Sequence, residues 1–165
     1  MIRCVPHLVF VALILTGIVS AIMPGTAHAG QKAYNIEGHW ISPKKDVVIQ
    51  IERCKTGICG KIHWLHPDVI QIDSANPEAD KRHRDLCNIS VLWGFRQSVN
   101  NPDRWQSGWI YKADDGEVFK ANLSLTDHET MRLRGYIGLP VLGKSYIFSR
   151  VDEHAYPACD SELKG

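Results

Sequence analysis

Cysteines carry the most distinctive side-chain chemistry in this 165-residue chain, and their spacing points to cross-linking more than to metal binding. Cys54 and Cys59 flank a turn and read as a cross-strand disulfide. Zinc is the rival reading, but it needs more ligands, and no second close cysteine pair lies nearby. Closing so short a loop stabilises by about 2 kcal/mol in the chain-entropy model, so such a bond pins register more than it holds a fold. Cys87 and Cys159 either tie the tail to the rest of the domain or stay free. No Gly-x-Ser-x-Gly elbow, phosphate-cradling glycine loop or His-Glu-x-x-His helix is present, so no catalytic residue, cofactor or metal is expected. His63 and His66 are the nearest thing to a metal pair, but three apart on a strand they point to opposite faces and read as solvated; Asp68, Asp73 and Asp80 lack a dense calcium-loop pattern and read as solvated or helix-capping.

Two further groups bear on binding. Arg82 and Arg84, within Asp80-Lys81-Arg82-His83-Arg84-Asp85, form either an anion clamp or, preferably, part of a solvated helix face with internal ion pairs. Trp64, Trp105, Trp109, Tyr111, Phe119 and Leu123 fall on one apolar face and line either a ligand cavity or an ordinary core.

Strands must position these residues. Val47 to Leu65 reads as a hairpin turning at Thr56-Gly57, with Cys54 opposite Cys59, Glu52 opposite Lys61, Ile51 opposite Ile62 and Ile49 opposite Trp64. Ile36 to Ser42 is a strand before it. Five more follow: Ile89 to Gln97, Arg104 to Tyr111, Glu117 to Leu125, Thr130 to Gly138 and Lys144 to Val151, punctuated by Asn101-Pro102-Asp103, Asp114-Asp115-Gly116, and Pro140 with Gly143. A three-residue loop at Asp114-Asp115-Gly116 sets Tyr111 against Phe119, Trp109 against Ala121 and Trp105 against Leu125. The next hairpin sets Leu123 against Leu133 and Leu125 against Met131. His66 to Asp85 is long for a connection and reads as a lid or binding loop. Asn76 is a candidate N-cap there, with Pro77 opening a short helix and Glu78–Arg82 and Asp80–Arg84 spaced i,i+4. Eight antiparallel strands with one apolar face predict an all-β, up-and-down barrel or a related sandwich.

Residues 1–29 read as a secretory leader, with Arg3, an apolar run from Leu8 to Ile22 and cleavage after Ala29. The run falls short of the ~20 residues that span a bilayer, so no transmembrane segment is expected after cleavage. Residues 30–165 then form one domain, periplasmic or secreted, and Cys4 is lost. Because the leader removes Arg3 and no acid, the mature chain carries 18 basic and 18 acidic residues. That balance gives no field to gather nucleic acid.

Gly38-His39-Trp40 on the first strand, with Arg150 near the end of the last, resembles the lipocalin signature. There the tryptophan packs under the barrel and a basic side chain covers it, implying a cation-π contact between the chain ends. A second resemblance covers nearly the whole mature chain. Cys54, Cys59-Gly60-Lys61-Ile62, Trp64-Leu65, Asp73, Asn76-Pro77, Arg82, Arg84, Trp105, Gly108, Ile110-Tyr111, Gly116, Arg134-Gly135 and Gly138 resemble the bacterial domain of unknown function 2147. Cys87 and Cys159 depart from its pattern. The resemblance implies an exported, eight-stranded lipocalin-like barrel with one long loop, and brings no catalytic residues. Three functions follow in order: a binding module for a small apolar or amphipathic ligand, a structural or partner-binding envelope protein with a filled barrel, and an enzyme with an unrecognised site. The protein partner is unspecified.

Overall fold

The computed structural model describes residues 33–159. The expected leader and its cleavage point lie outside the described residues. Eight strands run β1 (Gly38–Ile41), β2 (Val47–Cys54), β3 (Gly57–Leu65), β4 (Ser90–Gln97), β5 (Arg104–Lys112), β6 (Glu117–Leu125), β7 (Thr130–Tyr136) and β8 (Lys144–Val151). Each pairs antiparallel with the next, and β8 returns to β1, closing the barrel. Closure leaves no sheet edge to pair with another chain.

Where period-two patterning runs unbroken, the expected pairing holds: Leu123 faces Leu133 and Leu125 faces Met131. Three expectations are corrected. The first hairpin turns at Lys55-Thr56, pairing Cys54 with Gly57, Glu52 with Cys59 and Ile51 with Gly60. The Cys54–Cys59 disulfide forms nonetheless, as a diagonal bridge with Cα atoms 5.9 Å apart. Secondly, the β5–β6 connection is four residues long, so Tyr111 faces Val118, Ile110 faces Phe119 and Trp109 faces Lys120. Thirdly, the long loop holds only a 3-10 turn at Ala79–Lys81, and Asn76 does not cap it.

Two bulges change which side chains enter the lumen. In β3 an extra residue, His63, separates Ile62 (opposite Ile49) from Trp64 (opposite Val48). In β5 the register shifts between Trp105 and Gly108, where Ser107 has φ 61°. A bulge reverses the faces downstream of it. Trp105 therefore stays in the core, while Trp109 is 38% exposed and lies 5.7 Å beneath the Lys120 ammonium. Trp64 likewise leaves the core and packs on Tyr156 at 5.0 Å.

One end of the barrel is shut. Trp40 is fully buried, its indole N–H donating to the Ile36 carbonyl at 2.8 Å. Arg150 faces Trp40 across the β1–β8 pair, with its guanidinium carbon 4.2 Å from the ring centroid. The same guanidinium donates to the carbonyls of Asn35, Glu37 and His128 at 2.5, 2.8 and 2.7 Å. Gly38 is required here: its φ is +128°, and a Cβ would stand 2.7 Å from Arg150 Nη1. The lipocalin-type closure read from Gly38, Trp40 and Arg150 is thus present.

Candidate functional site

The opposite end carries the 42–46, 66–89, 113–116 and 137–143 connections, and there the lumen opens. Its vacancy traces to a row of small residues, since Gly108 pairs with Ala121 and Ala121 with Gly135 across β5, β6 and β7. The Phe95 ring fills the space over Gly108, where a Cβ would be 2.3 Å away. Over Gly135 nothing comparable intrudes; a Cβ there meets only the Ile110 side chain, at 3.9 Å. The result is a cavity of about 580 Å³ walled by Ile110, Phe119, Leu133, Tyr136, Leu142 and Tyr146, with Lys112 and Lys144 also lining it. Lys112 is held by Asp115 at 2.5 Å, and that hydrogen bond pushes its pKa up. Lys144 has no acidic partner among the described residues. A second space of about 370 Å³, sharing Ile110, lies under the long loop against Ile49, Ile62 and Val91.

Of the residues expected to line a cavity, Phe119 does so, Tyr111 borders the second space, and Leu123 and Trp105 belong to the filled core below. Trp64 and Trp109 lie outside the lumen for the reason given by the bulges. Arg82 and Arg84 do not converge on an anion site. Arg82 donates to the Asn76 carbonyl at 2.7 Å, and Arg84 pairs with Asp73 at 2.7 Å. The Asp80–Arg84 pairing is replaced by this longer-range one.

Asp73 is the residue that sequence reasoning undervalued. It is fully buried instead of solvated, and its carboxylate accepts from the Tyr111 hydroxyl, Asn76 Nδ2 at 2.7 Å and Arg84 Nε at 2.8 Å. Burial would raise its pKa, but those three hydrogen bonds and the Arg84 charge outweigh it and hold the carboxyl below its ordinary value. Burial and the Asp73 carboxylate push the Tyr111 phenol up to about 12. The network latches the 66–86 loop to β5. Gly116, at φ +71°, permits close approach of that loop, since a Cβ would lie 2.0 Å from the Ala75 carbonyl oxygen. Two sequence signals pointed to it: Asp73 follows directly on Val69-Ile70-Gln71-Ile72, and Asp73, Asn76, Arg84 and Tyr111 all stand among the residues that carry the family resemblance.

A strap formed by residues 152–159 packs against β1 through Glu153 and against β3 through Tyr156 and Cys159. Cys159 is bonded to Cys87, and its N–H donates to the His63 carbonyl at 2.6 Å. His63, expected in solvent, is buried with Nε2 2.9 Å from the Tyr156 carbonyl; His66 remains half-exposed. The His39 ring sits 4.2 Å from that of His63, its Nε2 without a hydrogen-bond partner among the described residues, and burial together with His63 lowers its pKa. The described residues close enough to share a cation are Glu52, Cys54 and Cys59, whose two sulfurs are already bonded to each other.

The family model described as an uncharacterized protein conserved in bacteria, DUF2147, matches residues 38–150. The chain belongs to the DUF2147 family. The match runs from the signature glycine of β1 to the signature arginine of β8, so it covers barrel and mouth and leaves the strap outside. No curated protein matches this DUF2147 chain in sequence. Among solved structures it is similar to a Helicobacter pylori protein, HP1028, described as belonging to the lipocalin family. The two share 12% identity over 74% of this chain and 86% of the other, with a TM-score of 0.65. At that identity the likeness concerns the fold, which is lipocalin-like.

Proposed function

We propose that this DUF2147 protein is a binding module, not an enzyme, that holds one small apolar or amphipathic ligand in the mouth of its barrel after export to the periplasm or beyond. The observation carrying this reading is the cavity of about 580 Å³ over Gly135, apolar on its walls and bordered by Lys144, which has no acidic partner among the described residues. Ligand cavities commonly measure about 300–1,000 Å³ and combine apolar walls with a few polar groups. An acyl chain fits against Phe119, Leu133 and Ile110, with an anionic head at Lys144. Export is supported by the two disulfides, which persist in oxidising compartments, and by the leader-like sequence of residues 1–29.

The test fills the cavity. Gly135→Leu adds a side chain where the first carbon meets only ordinary van der Waals contact. A dansylated undecanoic acid should bind the wild-type protein saturably, and the variant at least about tenfold more weakly with an unchanged melting temperature. Absence of saturable binding to the wild type, with nothing co-purifying in native mass spectrometry, defeats the proposal.

A further inference from the structure

The connection between β7 and β8 presents apolar side chains to water while three of its carbonyls are satisfied from within the chain. Ile137, Leu139, Val141 and Leu142 are 74, 65, 76 and 77% exposed. Beneath them, Arg134 donates through Nε to the Pro140 carbonyl at 2.6 Å and through Nη2 to the Val141 carbonyl at 2.9 Å. The Leu139 carbonyl accepts from the Leu142 N–H at 3.1 Å, and the Gly143 N–H donates to Pro140, also at 3.1 Å. Three successive carbonyls are therefore satisfied within the chain, and Pro140 has no N–H to satisfy. In water such provision is unnecessary; in hydrocarbon an unpaired backbone group is heavily penalised.

Charge points the same way. From Thr130 to Val151 the sequence contains no acid; besides Arg150, which is committed to the shut end, it contains Arg132, Arg134 and Lys144, and the adjoining β6 adds Lys120. On the neighbouring β5–β6 turn, Asp114 and Asp115 both face Lys112, at 3.8 and 2.5 Å, while Glu117 begins β6. A chain with near-neutral overall charge thus presents its exposed apolar tip on an acid-free, basic hairpin. An apolar tip flanked by cations matches the boundary between acyl chains and anionic headgroups.

We propose that the β7–β8 turn docks the barrel mouth onto an anionic phospholipid bilayer, with Leu139 and Val141 in the acyl boundary and Lys120, Arg132 and Lys144 toward the headgroups. Ile137 and Leu142 belong to both the tip and the cavity wall, so a ligand leaving the bilayer enters the lumen without crossing water. This last step rests on the ligand-binding reading; the docking itself does not.

Flotation with vesicles of phosphatidylcholine alone, or mixed equally with phosphatidylglycerol, tests the docking on the processed protein at low salt. The protein should float with the mixed vesicles, and the double variant L139S/V141S should bind at least about tenfold more weakly. Neither residue lines the cavity, so that variant should keep wild-type affinity for the dansylated undecanoic acid. A second variant, K120Q/R132Q, keeps the tip and should lose the preference for phosphatidylglycerol, as should wild type at high salt. Failure of the wild type to float overturns the docking, as does a double variant that floats equally well or a protein partner captured through the turn in preference to vesicles. Flotation without probe binding would uphold the docking and remove the ligand.

Discussion

The two ends of this barrel solve the same problem in opposite ways. At the shut end, a single guanidinium satisfies the carbonyls of Asn35, Glu37 and His128 and covers the indole of Trp40, so polar and apolar needs are met by one side chain. At the open end the tasks are divided. The 66–86 loop buries the polar network around Asp73, while the 137–143 turn leaves its apolar side chains outside. An eight-stranded barrel is just wide enough for its own side chains to fill, so the difference arises from where bulk is withheld. Phe95 occupies the space over Gly108, whereas over Gly135 only the Ile110 side chain comes near, at 3.9 Å from a Cβ.

The sharpest way to break this contrast is to truncate one ring at each end. Trp40→Ala should cost about 4 kcal/mol in urea unfolding, as expected for a fully buried aromatic. Phe119→Ala, on the cavity wall, should cost about 1 kcal/mol because its environment is already partly vacant. Similar losses at the two positions would mean that the open end is packed as tightly as the shut one.

Next in size are the charges. Arg150→Ala should lower stability by about 2 kcal/mol, since it removes both packing on Trp40 and donors to three carbonyls. Lys144→Ala, at the other end of the same strand, should change stability by less than about 0.5 kcal/mol. Equal effects would contradict the lipocalin-type closure.

The smallest effect is a pH profile of the long loop, read by limited proteolysis. Asp73 has a lowered folded-state pKa, so its contribution is present above the ordinary carboxylate range and is lost as pH falls through the folded value. Tyr111 has a raised one, so its contribution is complete below about pH 10 and is lost as pH rises toward about 12. Cleavage within 66–86 should therefore increase at both extremes, and Asp73→Asn should remove the acid limb. A flat profile would mean that the network does not hold the loop.

What the sequence disclosed and concealed follows from the range of the interactions. Strand boundaries of β6 and β8 match expectation, in β6 because buried positions alternate without interruption and in β8 because Gly143 sets its start. The inward placement of Trp64 and Trp109 failed because an inserted residue leaves the local pattern looking regular while reversing everything after it. Matching Cys54 directly with Cys59 misplaced the first hairpin by two residues, an even shift that kept Ile49, Ile51 and Ile62 on the core side. The Asp73 latch was hidden because its partners stand 38 residues away at Tyr111 and 11 away at Arg84, with intervening charges offering nearer but unused pairings.

The two disulfides also mark different moments in the life of the chain. Cys54 and Cys59 are separated by five residues, so their bond can form while most of the barrel has yet to be delivered. Cys87 and Cys159 are separated by 72, and the strap that brings them together lies on β3 and follows β8 in sequence. That bond waits for the far end of the chain, as does the pairing of β1 with β8, which joins residues more than a hundred positions apart. Such closure is the slow step expected of a topology rich in distant contacts. The bond at Cys159 is thus a timestamp: it can be made only in molecules whose last residues have already been delivered.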